Sequence, residues 1–309
     1  MRKVFAVTVA LALLGLSIAA SAITIETVAI GNAGNAADTR GKGSVGYSYN
    51  IGKYEVTAGQ YSAFLNAVAA TDTYGLYNTS MATDTYGCQI QRSGSSGSYS
   101  YSVSSSYANR PVNHVSYWDS CRFTNWLGNG QGNGSTENGA YTLNGYNSTD
   151  GRTIQRNAGA IWAVTSEDEW YKAAYYRNGT YSLYANGTST APVAGATGSN
   201  YNMAIRHAWD GTTNGATEQN GTKDMMGNVW EWNEAIVYQG SGNAYRGLRG
   251  GSFISSSATS LQSPYLFSNN PGIEDYNLGF RVSYVPEPSS IIALFGGLAG
   301  LIGLRRRRA

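Results

Sequence analysis

Two cysteines, two histidines and six prolines are all that 309 residues hold of these types, and charged side chains make up only 13%. Each scarcity removes a class of function. Cys88 and Cys121 fit no zinc-ligand spacing, and His114 and His207 cannot complete a Cys/His cluster with them. In an exported protein the two thiols either form a disulfide or stay as separate buried groups, and spacing alone leaves both open. No Gly-x-Ser-x-Gly stretch surrounds a serine, so Ser255-Ser256-Ser257 reads as a polar loop rather than a hydrolase nucleophile. The acids at Glu167-Asp168-Glu169 are explained by a helix N-terminus before they are explained by glycosidase chemistry. No fixed-period repeat runs through the chain.

Long apolar runs occur only at the two ends. Met1-Arg2-Lys3, an apolar run from Val4 to Ile18 and Ala20-Ser21-Ala22 have the order of a secretory signal peptide over residues 1–22. At the other end, Val285-Pro286-Glu287-Pro288 precedes an apolar stretch from Ser289 to Leu304 and four arginines, Arg305 to Arg308. That stretch lies near the lower edge of the roughly 17–25 residues a membrane helix needs. The arginines should stay cytoplasmic and leave the body on the periplasmic side. Segment 285–309 resembles the PEP-CTERM sorting signal, with Pro286, Glu287 and Pro288 as its motif. The resemblance implies an exosortase-type sorting enzyme as partner. It also implies anchoring in the inner membrane before processing, then the cell surface or an extracellular polysaccharide matrix.

The ends also account for the basic balance. They carry six of the 21 Lys and Arg, which leaves 15 against 19 Asp and Glu, a net charge of −4. A nucleic-acid partner has no electrostatic support.

Residues 23–284 read as one domain. Thr24 to Val28 is a first strand, and Val45 to Val56 alternates as a second through Val45, Tyr47, Tyr49 and Ile51. Thr57 and Gln60 form a capping box that opens a helix through Tyr61, Phe64, Leu65 and Val68. Residues 71–109 form a polar excursion with a weak strand within 94–103. Ser116 caps a second helix facing inward through Phe123, Trp126 and Leu127, and Gly128-Asn129-Gly130 stops it. Ser166 opens a third, which Asn178-Gly179 should end. The remainder is short strands and long loops rich in Gly and Asn.

Against this background one block stands out: Asp224-Met225-Met226-Gly227-Asn228-Val229-Trp230-Glu231-Trp232. In an extended segment Trp230 and Trp232 face the same side. Four further signatures accompany it in order: Tyr54-Glu55-Val56-Thr57, Arg110-Pro111-Val112 through Trp118-Asp119, Thr165 through Trp170, and Arg249-Gly250-Gly251-Ser252-Phe253. The chain then closes with Gly279-Phe280-Arg281-Val282. Together they resemble the formylglycine-generating enzyme, or sulfatase-modifying factor, family. The resemblance implies an α+β, C-type-lectin-like, loop-rich fold, to which the tail adds one C-terminal membrane helix.

Catalysts of that family oxidise a substrate cysteine with copper held by two cysteines, three and eight residues after the serine of Gly-Gly-Ser. The matching positions here are Ser255 and Ser260. A hydroxyl does not replace a thiolate for Cu(I), so no copper and no formylglycine chemistry is expected. A related branch makes sulfur–carbon bonds with iron in a His-rich extra domain, which this chain lacks. The resemblance also implies structural calcium held by the side chains of Asp224 and Glu231 and the carbonyls of Gly227 and Val229, with Asn202 and Asp210 as a second site. Two functions follow. One is a non-catalytic binding or structural protein with a glycan or protein ligand, supported by 24 Tyr and 7 Trp. The other is an enzyme with altered chemistry on the same scaffold.

Overall fold

Three capping boxes set three of the helices, each where the sequence places it. The computed structural model describes residues 22–239 and 242–286. The expected signal peptide, up to Ser21, and the sorting segment from Glu287 onward lie outside the described residues. Helix α1 (Ala58–Val68) starts at Thr57, whose hydroxyl accepts from the Gln60 backbone while the Gln60 side chain accepts from the Thr57 N–H. A single turn, α2 (Ser80–Thr83), follows in the polar excursion. Helix α3 (Tyr117–Gly128) is boxed by Ser116 and Asp119, and α4 (Glu167–Tyr175) by Ser166 and Glu169.

Two four-stranded sheets hold these helices. The first is antiparallel, in the order β1 (Thr27–Ile30), β2 (Tyr49–Gly52), β12 (Val282–Tyr284), β5 (Trp162–Val164). The second runs β10 (Phe267–Asn269), β9 (Asn243–Arg249), β8 (Trp230–Gln239), β11 (Leu278–Phe280), with β11 parallel to β8. Two small hairpins complete the set: β3 (Gln91–Ser93) with β4 (Ser100–Ser102), and β6 (Tyr176–Arg177) with β7 (Thr180–Tyr181). One core cluster joins α1, α3, β8 and β11 through Tyr61, Phe64, Phe123, Trp232 and Phe280. A second packs α4 through Trp170 and Tyr175 against Met225 and Met226, and a small third joins Ala208, Val229 and Phe253. The result is α+β with long irregular connections.

Several boundaries differ from the sequence reading, each for a local reason. The first strand lies at Thr27–Ile30 rather than Thr24–Val28, because its register is fixed by pairing with β2. The second shrinks to Tyr49–Gly52: Val45 is held by the Gly34 N–H, and the Tyr47 hydroxyl is tied to Glu169. Asn178-Gly179 does not end a helix. Helix α4 stops at Tyr175, and Asn178 (φ 53°) and Gly179 (φ 87°) make the two-residue turn between β6 and β7. Asn-Gly supplies the two positive φ values that such a hairpin needs. The long β8–β9 hairpin went unread because a bulge between Asn233 and Ile236 breaks its alternation.

Candidate functional site

The signatures that stand out in the sequence are joined to one another in the fold. Val56 donates its N–H to the Phe280 carbonyl, and Thr57 bridges to Pro111. The indole of Trp170 donates to Glu231 at 2.7 Å. Arg249 forms a buried ion pair with Glu167 and also donates to the Ser263 and Tyr265 carbonyls. At the centre, Arg281 grips Glu231 with two bonds of 2.6 Å, and both side chains are fully buried. The rest of the Arg281 guanidinium donates to the carbonyls of Gly52, Lys53 and Lys223. A planar fork suits such an arrangement, and it ties strand β2, the Asp224–Trp232 block and β12 to one cation.

Asp224–Asn228 is the turn that enters β8. Asp224, Gly227 and Asn228 all have positive φ. A Cβ at Gly227 would lie 2.2 Å from the Asn200 carbonyl oxygen, so the close approach requires glycine. Asn228 Oδ1 accepts from Asn200 Nδ2 and from the Trp209 N–H, and its carbonyl accepts from Phe253. The block is therefore a fold-defining turn, with Trp232 fully buried against Tyr117.

Around Arg281 lie more carboxyls than one guanidinium neutralises. Burial pushes Asp224 up to about 7, opposed by the Trp209 indole and by Arg281, and reinforced by Glu231. Burial raises Glu218 to about 8 and holds Glu55 well above the usual carboxylate range, with Asp224 adding to the rise. Glu55 and Glu218 were not singled out as site residues by the sequence reading. The available signal for Glu55 was an acid inside an otherwise apolar, alternating stretch. Asp224 Oδ2 and Glu55 Oε1 are buried without partners.

The protonation of Glu218 carries a consequence for stability. Its folded value lies above the ordinary 4.5, so the stabilisation is complete below about pH 4.5 and is lost as pH rises to about 8. The contribution to the slope reaches about 1.4 kcal/mol per pH unit. Glu218→Gln, which mimics the protonated carboxyl, should flatten the stability profile between pH 5 and pH 8. Urea unfolding of both proteins across that range checks this; parallel profiles would refute it.

The calcium role implied for this turn does not fit Glu231. Its two oxygens already receive three donors, and Arg281 supplies the positive charge that a cation would bring. Of the two side chains in the implied set, only Asp224 keeps a free oxygen. Asn202 and Asp210, the implied second site, bond to different partners. Asn202 is exposed and donates its N–H to the Ser255 carbonyl, whereas Asp210 spends its oxygens on Thr212 and Asn109.

Ser255 and Ser260, by contrast, are brought together. Both hydroxyls converge on the point a Gly251 Cβ would occupy, at 3.3 and 2.9 Å. Ser255 Oγ accepts from the Ser252 N–H, and Ser260 Oγ donates to the Ser257 carbonyl. Ser252 Oγ is buried and unpartnered. Cavities of 720, 410, 310 and 30 Å³ are lined by other segments. Cys88 and Cys121 are separate buried thiols, with Cys88 raised to about 11 by burial and Cys121 raised further. Neither is poised as a thiolate.

Residues 27–284 match the sulfatase-modifying factor enzyme 1-like domain. The chain belongs to that family. Its next segment, 285–308, matches the PEP-CTERM protein-sorting motif. This sulfatase-modifying factor-like chain also shares its fold with two solved structures. CarF is 20% identical, with a TM-score of 0.55 over 85% of this chain and 99% of its own. Variable protein 1 of Treponema denticola is 18% identical, with a TM-score of 0.51 over 86% and 97%. No curated protein matches. The sorting motif implies export and processing at the membrane by an exosortase-type enzyme. Among the described residues of this family member, no helix is long and apolar enough to cross a membrane.

Proposed function

We infer that this sulfatase-modifying factor-like protein is an exported binding or structural module. It is held at the membrane by its tail until an exosortase processes it, then placed at the cell surface or in the extracellular polysaccharide matrix. The observation that carries the non-catalytic reading is the state of Ser255 and Ser260. By motif spacing the two match the family's copper-binding cysteines, and in the fold both hydroxyls lie beside Gly251 with each engaged to a backbone group of its own loop. Neither residue type supplies a soft ligand.

An aromatic surface over Trp230 supports binding. Trp230 lies beneath Tyr265 and Phe267, at ring separations of 5.9 and 5.4 Å, and those two rings are 38% and 42% exposed. Tyr86, Phe253 and Tyr276 form a second aromatic group. Flat, partly exposed rings suit the apolar face of a sugar, and the Tyr265 hydroxyl adds a polar handle, so an extracellular glycan is the ligand class this reading favours. The mature domain, residues 23–286, should retain glycans on an array. Tyr265→Ser with Phe267→Ser should lower that binding at least about tenfold, 1.4 kcal/mol. Retention unchanged by the double substitution would remove this surface from the account.

A further inference from the structure

The tail leaves the body from a central strand, with almost no slack. Strand β12 ends at Tyr284, and the Val285 N–H is still held by the Ile161 carbonyl at 2.8 Å. Pro286 already begins the sorting motif, and the apolar run starts at Ser289. From Val285 to Ser289 is four residue steps, about 14 Å at full extension. The headgroup layer of a bilayer is itself about 5–7 Å deep on each side. A body on so short a tether is kept with its β12 end within about 10 Å of the headgroup surface.

What surrounds that end suits the position. Antiparallel pairing sets Tyr284 opposite Trp162 on β5 and opposite Asn50 on β2. The Trp162 and Tyr284 rings meet at 4.8 Å, and both remain partly exposed. On the β2 side Tyr47, 42% exposed, packs on Tyr49. On the β5 side the approach is Asn157-Ala158-Gly159-Ala160-Ile161, exposed or partly exposed and without a charge. The nearest cation in sequence, Arg156, is paired with two carboxylates, Glu169 and Glu234. Tyr and Trp with small apolar neighbours make up the composition that sits at a membrane–water boundary.

We propose that this aromatic collar, Tyr47, Trp162 and Tyr284 with the 158–161 loop, docks on the outer headgroup layer of the membrane that the tail enters. It rests on the reading of residues 289–308 as a membrane anchor. The collar is small, so it binds lipid only while tethered, when the local concentration of the surface is of order millimolar or higher. Release of the tail therefore releases the body as well.

The test uses the full chain without its signal peptide in nanodiscs whose lipids carry brominated acyl chains near the headgroup. Tryptophan emission should be partly quenched, and Trp162→Phe should remove at least half of that quenched component. An environment-sensitive fluorophore at Ala158→Cys should shift to the blue in the nanodisc, whereas one at Ser96→Cys in the β3–β4 turn should not; the native thiols are buried. The chain ending at Pro286 should show neither effect with the same lipids. Co-elution with nanodiscs without quenching or shift overturns the docking and leaves the anchor standing. Failure to enter nanodiscs overturns both.

Discussion

Arg281→Met should destabilise the mature domain by about 3–5 kcal/mol, the cost of leaving a buried charge without its partner. Methionine keeps the length and apolar contacts but supplies none of the donors. Glu231 would lose both 2.6 Å bonds from the guanidinium and keep only the Trp170 indole. The carbonyls of Gly52, Lys53 and Lys223 would lose their donor as well. Since a domain holds only about 5–15 kcal/mol in total, the single variant should unfold at a much lower urea concentration or accumulate poorly. Adding Glu231→Gln removes the stranded charge, and the double variant should recover about 1–3 kcal/mol relative to additivity. Strictly additive losses would show that Arg281 and Glu231 do not act as a pair.

The second large effect concerns metal. Ser255→Cys with Ser260→Cys should convert a chain that does not hold Cu(I) against a competing chelator into one that binds a single equivalent. The side chains already converge on one point beside Gly251, and thiolate is the soft ligand that Cu(I) selects. Each single cysteine should bind at least about tenfold more weakly, a difference of 1.4 kcal/mol. Cys88 and Cys121 should not contribute, because burial keeps them as thiols. A folded double variant that takes up no copper would mean that the serines do not occupy the thiolate positions.

What was legible in the sequence was what is decided locally or by motif. Thr57, Ser116 and Ser166 announce their helices because a capping box needs only four adjacent residues. Tyr265 and Phe267 were not singled out, since nothing local says that a ring in a loop will lie over Trp230. Asn178-Gly179 was read as a helix stop when it is a hairpin turn, because both need positive φ at the same residue types. The meaning of Glu231 was decided by Arg281, fifty residues away. Without that pairing the carboxylate looked available for calcium. Glu55 and Glu218 were hidden in the same way, because their burial beside Arg281 and Asp224 is set by residues distant from Glu55 and by the fold around Glu218. Ser255 and Ser260 were readable only as departures from a family pattern, and the fold adds that both hydroxyls serve the loop's own backbone.

The most direct measurement of the central claim is mass spectrometry of a cysteine-containing sulfatase peptide incubated with the mature domain, Cu(I) and oxygen. The account predicts that the cysteine is recovered unchanged. Appearance of formylglycine above the protein-free control would contradict it.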